Sequence, residues 1–293
     1  MKQLFTHTLA LLLVLALVAT EASAQQFSKR KQYNSVGVSL NAMNYFGDIT
    51  PKPSIPSFRA GATRPNLGLT FTRRFAPRIS GRASLSYGRI TGDDAKAADQ
   101  NDADAKYRYN RNMNFRNDIL EFAVTGIFDL IENRNNYIKR PDFVPYVFAG
   151  VGVIRHNPKG ENADGNIVAL QPLRTEGQAD AYNLGQIVIP FGGGARYKLN
   201  RNFDLGLELG FRKTFTDYLD DVSGNYVANA NQLAAGNARY FGWDITRELP
   251  GTYTEAIQGG QMRGKSNEKD WYTTLGISVN YILAPRVKSP KFR

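Results

Sequence analysis

Apolar and polar residues alternate strictly along several stretches of this chain. Between Phe203 and Phe211 every odd position is Phe or Leu, and every even position is Asp, Gly or Glu. A period of two residues is typical of a β-strand, because successive side chains of a strand point to opposite faces. One face is entirely apolar and the other carries charges and glycine. The pattern therefore predicts a strand that separates two different environments.

Eight stretches have this alternation, and each predicts one strand. They are residues 35–46, 66–75, 79–90, 116–130, 143–155, 186–198, 203–216 and 271–283. The match is weakest in 143–155, where both faces are apolar or glycine. Pro145 and Pro190 have no N–H to donate to a sheet, so we expect a strand start or a bulge at each.

Long and short connections alternate between these stretches. The long ones are 47–65, 91–115, 156–185 and 217–270, and the short ones are 76–78, 131–142 and 199–202. Outer-membrane barrels combine an even strand number with long extracellular loops and short periplasmic turns. We therefore predict an all-β fold, an eight-stranded antiparallel transmembrane β-barrel of the OmpA-like type at residues 35–283. It would lie in the cell outer membrane, with four long extracellular loops and both termini periplasmic.

A soluble β-sandwich is the alternative fold for such strands, since one face of each strand would then meet water. Its polar faces should be rich in Lys, Glu and Thr. The polar faces of this chain are instead rich in Gly and Ser, which favours the crowded lumen of a narrow barrel. Aromatic residues near strand ends would form the interfacial girdles. They are Phe46, Phe75, Tyr87, Tyr197, Phe203, Trp271 and Tyr281.

The first 24 residues have the features of a secretory signal peptide. Lys2 precedes an apolar run of about ten residues, and the segment ends in Ala22-Ser23-Ala24. A retained anchor is the alternative, but that run is shorter than the ~20 residues of a membrane-spanning helix. Residues 25–34 then form a periplasmic N-terminal segment. The chain contains no cysteine, so a closed hydrogen-bond ladder or core packing must stabilise the exported fold without disulfides.

Charged residues of both signs occupy the predicted inner faces. They are Arg82, Glu121, Arg196, Lys198, Asp204, Glu208 and Arg212. An eight-stranded barrel has room inside for little more than its own side chains, and an unpaired charge there would be costly. We therefore predict a salt-bridged plug. A small ion pathway lined by these charges is the alternative.

Motifs of enzymes and cofactor sites are absent from the sequence. It has no Gly-x-Ser-x-Gly or His-Glu-x-x-His motif, and after export its one histidine is His156, which we expect to be solvated in a loop. We expect neither catalysis nor a cofactor nor a small-molecule substrate. Asp217, Asp220 and Asp221 are weak candidates for cation binding, although their spacing is not that of an EF-hand. The alternative is that they accept hydrogen bonds within their loop.

The formal net charge of the chain is +11. We expect no nucleic-acid partner for an exported protein, whereas basic residues at a membrane meet anionic lipid or an acidic protein. The C-terminal segment 284–293 is a basic periplasmic tail, either solvated or a docking arm. Candidate partner-binding residues lie there and in the predicted turn 131–142. They are Arg134, Lys139, Arg140, Arg286, Lys288, Lys291 and Arg293.

Five strings of the sequence resemble the PorG-like family of outer-membrane β-barrels. They are NYFGD at 44–48, YGRITGDD at 87–94, PYVFAG at 145–150, LRTEGQ at 173–178 and TFTDYLDDVSG at 214–224. The last string is the most specific. The resemblance extends from about residue 34 to residue 283 and implies an accessory barrel of the type IX secretion system, which ties periplasmic ring proteins to the outer membrane.

Two functional hypotheses follow. The first is a scaffold that contacts outer-membrane lipid and anchors periplasmic secretion-ring proteins through its short turns and its tail. The second is a surface receptor or small-solute-binding barrel that acts through its long external loops.

Overall fold

The computed structural model describes residues 31–49, 60–98, 106–247 and 259–284. These residues form ten strands of one antiparallel sheet, with short helices between them. The strands are β1 (Asn34–Phe46), β2 (Arg64–Arg74), β3 (Ile79–Asp93), β4 (Asn114–Asp129), β5 (Phe143–Arg155), β6 (Pro158–Glu161), β7 (Ile167–Ala169), β8 (Gly185–Lys198), β9 (Phe203–Thr214) and β10 (Trp271–Leu283). The α-helices are α1 (Asp94–Ala97), α2 (Lys106–Arg111) and α3 (Asn237–Gly242). Single 3₁₀ turns lie at Ala60–Ala62, Gln171–Leu173, Ala230–Gln232 and Asp244–Arg247.

Eight of the described strands close into a barrel. The order is β3-β2-β1-β10-β9-β8-β5-β4, and pairing between β3 and β4 completes the ring. Directly paired residues can be followed from strand to strand once around the barrel. A path that starts at Asn44 of β1 returns to β1 at Asn34, an offset of ten residues. This stagger tilts the strands by about 40° from the barrel axis. The closed ladder excludes the sandwich.

All eight predicted barrel strands are confirmed, and their ends differ from the predicted ones by at most three residues. The expected strand start or bulge at Pro190 was wrong. Its position lies within β8, and the register with β5 is the same at Ala149–Phe191 as at Gly152–Val188. Two ladder pairs are missing between those points, because proline has no N–H. Pro145 is the third residue of β5 and also leaves the register unchanged.

The outer surface of the barrel is an apolar band. Leu205, Leu207 and Leu209 of β9 are exposed, while the alternate residues of that strand point inward. We call the end with Asn34 and Leu283 the terminal end, and the opposite end the cap end. A closed barrel with this exposed apolar band suits the hydrocarbon core of a membrane.

Aromatic rings lie at both edges of the apolar band. Near the terminal end the rings of Phe203 and Tyr281 are 5.2 Å apart. Near the cap end Phe46 stacks on Trp271, with ring centroids 4.3 Å apart. Amphipathic or aromatic side chains at these levels suit the two membrane interfaces.

The long connections fold together over one end of the barrel. We call their described residues the cap: 47–49, 60–63, 94–98, 106–113, 156–184, 215–247 and 259–270. Buried apolar residues of the cap pack against the inner ends of the strands. They are Ile49, Met113, Leu170, Leu219, Val222, Phe241 and Ile245, against Tyr45, Phe115, Ile119, Ile154, Val188 and Tyr272. A hydrophobic core therefore closes this end, and it is built largely from the long connections that the sequence predicted as loops.

The connection between β9 and β10 has a smaller apolar cluster of its own. It contains Tyr226, Val227, Ala230, Leu233 and Trp243. A capping box at Asn229 starts the 3₁₀ turn within this cluster, because the Asn229 side chain and Gln232 exchange hydrogen bonds with the backbone. The part of this connection around residues 226–243 is thus packed against itself.

Candidate functional site

Two opposite charges meet near the middle of the lumen. Arg82 of β3 and Glu208 of β9 form an ion pair with an N–O distance of 2.5 Å, and the Tyr146 hydroxyl donates to the same carboxylate at 2.9 Å. The Arg82 guanidinium also lies 4.8 Å from the centroid of the Phe148 ring. Each charge therefore has a partner, which offsets the cost of taking it out of water.

A second ion pair lies closer to the cap end. The Arg212 Nε atom is 3.3 Å from Glu121 Oε2, and the buried Tyr272 hydroxyl donates to that oxygen at 2.7 Å. Arg212 also donates to the hydroxyl of Thr274. These side chains come from β4, β9 and β10, so the network crosses the lumen from wall to wall.

A third group of charges fills the terminal end of the lumen. The Asp129 carboxylate binds Arg74 at 2.8 Å and also pairs with Arg196. Asp204 pairs with Arg140, with an N–O distance of 2.6 Å. The described part of this end therefore presents paired charges and no broad opening.

Some members of this network were not in the predicted inward set. Arg74 has the same phase as Thr72 in β2, and Asp129 has the same phase as Glu121 in β4, so the alternation contained a signal for both. Arg140 belongs to a turn, where no period indicates the direction of a side chain. Lys198 has the same phase as Arg196 and lies on the inner face at the rim of the lumen, 3.2 Å from Asp142.

The lumen retains a small polar space beside these ion pairs. Its volume is about 70 Å³. Small hydroxyl and amide side chains of β1, β2, β3 and β10 line one side, among them Ser39, Asn41, Thr70, Ser84 and Ser278. Such a space has room for a few water molecules and is too small for a wide aqueous channel.

The three cation candidates of the β9–β10 connection face different partners within the cap. Asp217 accepts from the Ser223 hydroxyl at 2.7 Å, and Asp221 accepts from the hydroxyls of Thr175 and Tyr182 at 2.6 and 2.7 Å. Burial raises the pKa of Asp217 and of Asp221 to about 6. Within the described residues, no three His, Asp or Glu side chains converge in a metal-binding arrangement. Asp217 and Asp221 thus accept hydrogen bonds within the cap, as the alternative interpretation expects, and cation binding by these residues stays a prediction.

Asp220, the third candidate, shares a tyrosine with another buried carboxyl. The Tyr45 hydroxyl oxygen lies 2.6 Å from Asp220 Oδ2 and 2.6 Å from Asp270 Oδ1. Backbone N–H groups of Ile49 and Val222 also donate to Asp220. Burial raises the pKa of both carboxyls well above the ordinary range, and repulsion from Asp48 adds to this for Asp220 and repulsion from Asp220 adds to it for Asp270.

Two fully buried arginines link the connections of the cap. Arg111 of α2 makes a bidentate contact with Asp94, at 2.7 and 2.8 Å, and donates to the Asp48 carbonyl oxygen at 2.8 Å. Arg263 binds Glu176 at 2.8 Å and the Asp221 carbonyl oxygen at 2.7 Å. These contacts join segments that are far apart in sequence into one body.

His156 lies inside the cap and not in solvent, which corrects the expectation of a solvated loop histidine. Only 1% of its surface is exposed, and its ring is parallel to that of Tyr182. Asn117 lies 3.4 Å from its Nδ1 atom, while Nε2 is buried with no hydrogen-bond partner in the described structure. Burial lowers its pKa to about 4, so the imidazole is neutral near pH 7.

The three basic candidates of the turn 130–142 lie in two kinds of environment. Arg134 and Lys139 are exposed, and Arg134 pairs with Glu132 at 2.9 Å. Arg140, expected to bind a partner, has only 5% of its surface exposed. Its guanidinium binds Asp204 and the carbonyl oxygens of residues 137, 200, 201 and 203, so it anchors the turn and is unavailable to a partner.

Several predicted segments lie outside the described residues. They are the signal peptide, most of the segment 25–34, and Arg286, Lys288, Lys291 and Arg293 of the tail. Among the residues that the structure describes, no helix has both the length and the apolar character needed to cross a membrane.

The closed ladder, the apolar outer band and the charged lumen together define a transmembrane β-barrel with a folded cap. The sequence model of the family described as "Domain of unknown function (DUF6089)" matches residues 8–261. The chain therefore belongs to this family. A comparison with curated protein sequences found no match.

Solved outer-membrane proteins are similar in outline. Ail of Yersinia pestis, solved with a heparin analogue, is 8% identical with a TM-score of 0.41, covering 86% of this chain and 99% of that chain. Neisserial surface protein A is 10% identical with a TM-score of 0.39, covering 85% and 96%. OprG of Pseudomonas aeruginosa is 10% identical with a TM-score of 0.38, covering 89% and 99%.

Proposed function

We propose that this protein is a non-enzymatic, integral outer-membrane barrel that serves as a scaffold. Its terminal end faces the periplasm and anchors periplasmic ring proteins of a type IX secretion system. The resemblance of five sequence strings to the PorG-like family supports the secretion role. The filled lumen and the packed cap favour a structural role over transport.

The turn 130–142 is the observation that carries the scaffold proposal. Buried Arg140 fixes this turn to the barrel through Asp204 and four carbonyl oxygens. The turn then presents exposed Arg134, Ile138 and Lys139 beyond the barrel rim. A fixed surface with charged residues around an exposed apolar residue suits a protein partner, because little ordering is needed on binding.

Site-specific photocrosslinking in the native cell tests the partner. A photoreactive phenylalanine analogue at Ile138 should yield one discrete adduct that contains a secretion-ring protein. The double variant Arg134→Glu, Lys139→Glu should lose the adduct and reduce secretion, since it reverses two charges of the surface. Lys106→Glu with Arg174→Glu, two exposed cap positions, is the matched control and should retain both. Recovery of the barrel alone, with secretion intact in a deletion strain, would refute the scaffold.

Cysteine labelling tests the orientation, because the chain has no cysteine of its own. Asp164→Cys lies in the exposed turn between β6 and β7, and Asn136→Cys lies in the turn at the terminal end. We expect a membrane-impermeant maleimide to label Asp164→Cys in intact cells and Asn136→Cys after the outer membrane is opened. The reverse result would place the termini outside.

A cleft on the flank of the cap favours a receptor as the second candidate. Its volume is about 1090 Å³, and its lining includes Arg64, Asp93, Asn114, Glu161 and Tyr240. Shortening the neighbouring turn 162–166 would then abolish ligand binding at the cell surface while secretion stays intact. The scaffold predicts that the same change affects neither adduct formation nor secretion.

A further inference from the structure

The edge of the apolar band at the cap end has different residues on two sides of the barrel. On β9, β10 and β1 the edge is aromatic: Phe46 stacks on Trp271, and the Phe211 ring is 6.2 Å from Trp271. On β3, β4, β5 and β6 the same edge is basic. The residues there are Arg89, Arg116, Arg155 and Lys159, which we call the basic patch.

Strand register places the basic patch on the outer surface. Arg116 of β4 is the direct partner of Lys159 in β6. The neighbours of Arg116 along β4, Phe115 and Asn117, are buried inside, so the Arg116 side chain points outward. Arg155 is the partner of Leu120, whose exposed side chain belongs to the apolar band.

The patch retains uncompensated positive charge. Arg89 is paired with Asp118 at 2.5 Å. Within the described chain Arg116, Arg155 and Lys159 form no ion pair, and the Nε–H of Arg116 is buried without a hydrogen-bond acceptor. Glu161 is the acidic residue closest along β6, and its exposed side chain lies one step further from the membrane band.

Directly below these charges lies an unbroken apolar surface. It consists of exposed side chains of β3, β4 and β5, namely Leu85, Tyr87, Leu120, Phe122, Val151 and Val153. This surface has positive charge toward the cap end and apolar side chains toward the middle of the membrane. It is complementary to a lipid, which has a phosphate headgroup and acyl chains. Arginine is well suited to this role, since its guanidinium donates two parallel hydrogen bonds to phosphate oxygens.

We propose that the basic patch is a binding site for a phosphate-bearing membrane lipid in the leaflet on the cap side. Arg116, Arg155 and Lys159 bind the phosphate, and the acyl chains lie on β3, β4 and β5. Arg89 is paired with Asp118 and forms one side of the site without binding the phosphate itself. The site is separate from the terminal surface of the scaffold proposal, so either can fail without the other.

Native mass spectrometry of the purified full chain in detergent micelles tests this site. The probe is diphosphorylated lipid A, with phosphatidylcholine as the zwitterionic comparison. We expect wild type to retain lipid A in preference to phosphatidylcholine, and inorganic phosphate at the same concentration not to displace it. The triple variant Arg116→Gln, Arg155→Gln, Lys159→Gln should bind lipid A roughly tenfold or more weakly.

The matched control removes the same charge elsewhere. Lys106→Gln, Arg174→Gln, Arg201→Gln changes three exposed basic residues outside the patch and should bind lipid A like wild type. An unchanged melting temperature of both variants, by circular dichroism, shows that the barrel is intact. Equal lipid A binding by the two triple variants, or displacement by free phosphate, would overturn the proposal.

Discussion

At the residue scale, the hydroxyl of Tyr45 determines which of the two carboxyls beside it carries a proton. It lies 2.6 Å from both Asp220 and Asp270 and has one proton to donate. Asp220 already accepts from two backbone N–H groups, whereas Asp270 accepts from the N–H of Leu219 on its other oxygen. The arrangement is satisfied when Tyr45 donates to Asp220 and a protonated Asp270 donates to Tyr45.

This proton count gives opposite predictions for two similar substitutions. Asp270→Asn should leave stability at pH 7 nearly unchanged, because an amide N–H replaces the carboxyl O–H toward Tyr45. Asp220→Asn should destabilise the cap by about 1–3 kcal/mol, since its amide group would face donors. Urea unfolding followed by Trp243 fluorescence, in a Trp271→Phe background, measures both. Equal destabilisation by the two substitutions would contradict the assignment.

The buried imidazole of His156 predicts a pH dependence of cap stability. Its pKa is about 4 in the folded protein, below the ordinary value of about 6.5 for the unfolded chain. The unfolded state therefore binds the extra proton between these values, and this contribution lowers stability as the pH falls. Asp217 and Asp221, with pKa values of about 6, act in the opposite direction, because their folded forms retain protons.

A variant comparison isolates the contribution of His156. The free energy of unfolding of wild type minus that of His156→Gln should decrease between about pH 6.5 and pH 4, by up to a few kcal/mol. Urea titrations at half-unit pH steps measure this difference. A difference that does not vary with pH would show that the imidazole can be protonated in place.

At the element scale, strands were predictable and the cap was not. Alternation alone marks β9 and β10, because a lipid-facing row and a lumen-facing row impose a period of two. The cap core joins residues such as Ile49 and Phe241, which lie in different connections without periodic pattern. Their burial follows from tertiary packing, and the same packing placed His156 inside.

The sequence also could not predict which charged residues form ion pairs inside the barrel. Arg82 and Glu208 are 126 positions apart, and each was recognised as inward from its own strand. Which arginine meets which carboxylate depends on the stagger of the closed ladder and on side-chain length. Alternation specifies the face of a residue and not its height relative to other strands.

The turn 130–142 yields a prediction at the same scale. Arg140→Ala should release this turn, because Asp204 and four carbonyl oxygens lose their donor, and breaking a buried pair costs about 3–5 kcal/mol. Trypsin should then cleave faster after Arg134 and Lys139. Glu132→Ala removes an exposed ion pair worth about 0–1 kcal/mol and serves as the control. Unchanged cleavage of Arg140→Ala would show that other contacts fix the turn.

At the scale of the whole molecule, the barrel is obstructed along its axis. Paired charges cross the lumen at Arg82 and Arg212, and the hydrophobic core of the cap lies over the strand ends at Tyr272 and Ile119. The obstruction near the cap does not depend on the charges in the middle. Two separate layers therefore stand between the ends.

These layers predict the electrical behaviour of the barrel. Wild type in planar bilayers should give no steady conductance steps, and Arg82→Ser with Glu208→Ser should also remain closed, because the cap core is intact. Single-channel recording at both polarities measures this. Steady conductance steps from wild type would contradict the plug and favour an ion pathway. Conductance steps from the double variant alone would show that the lumen charges, and not the cap core, close the barrel.

The seam between β1 and β10 has a consequence for assembly. These strands are the first and the last of the barrel, and they share thirteen residue pairs, from Asn34–Leu283 to Phe46–Trp271. The ring can therefore close only after the last strand has been synthesised. Contacts between such distant positions form slowly. Until then β1 and β9 have unpaired edges that can pair with other chains, so the newly made protein is prone to aggregation until the ring closes.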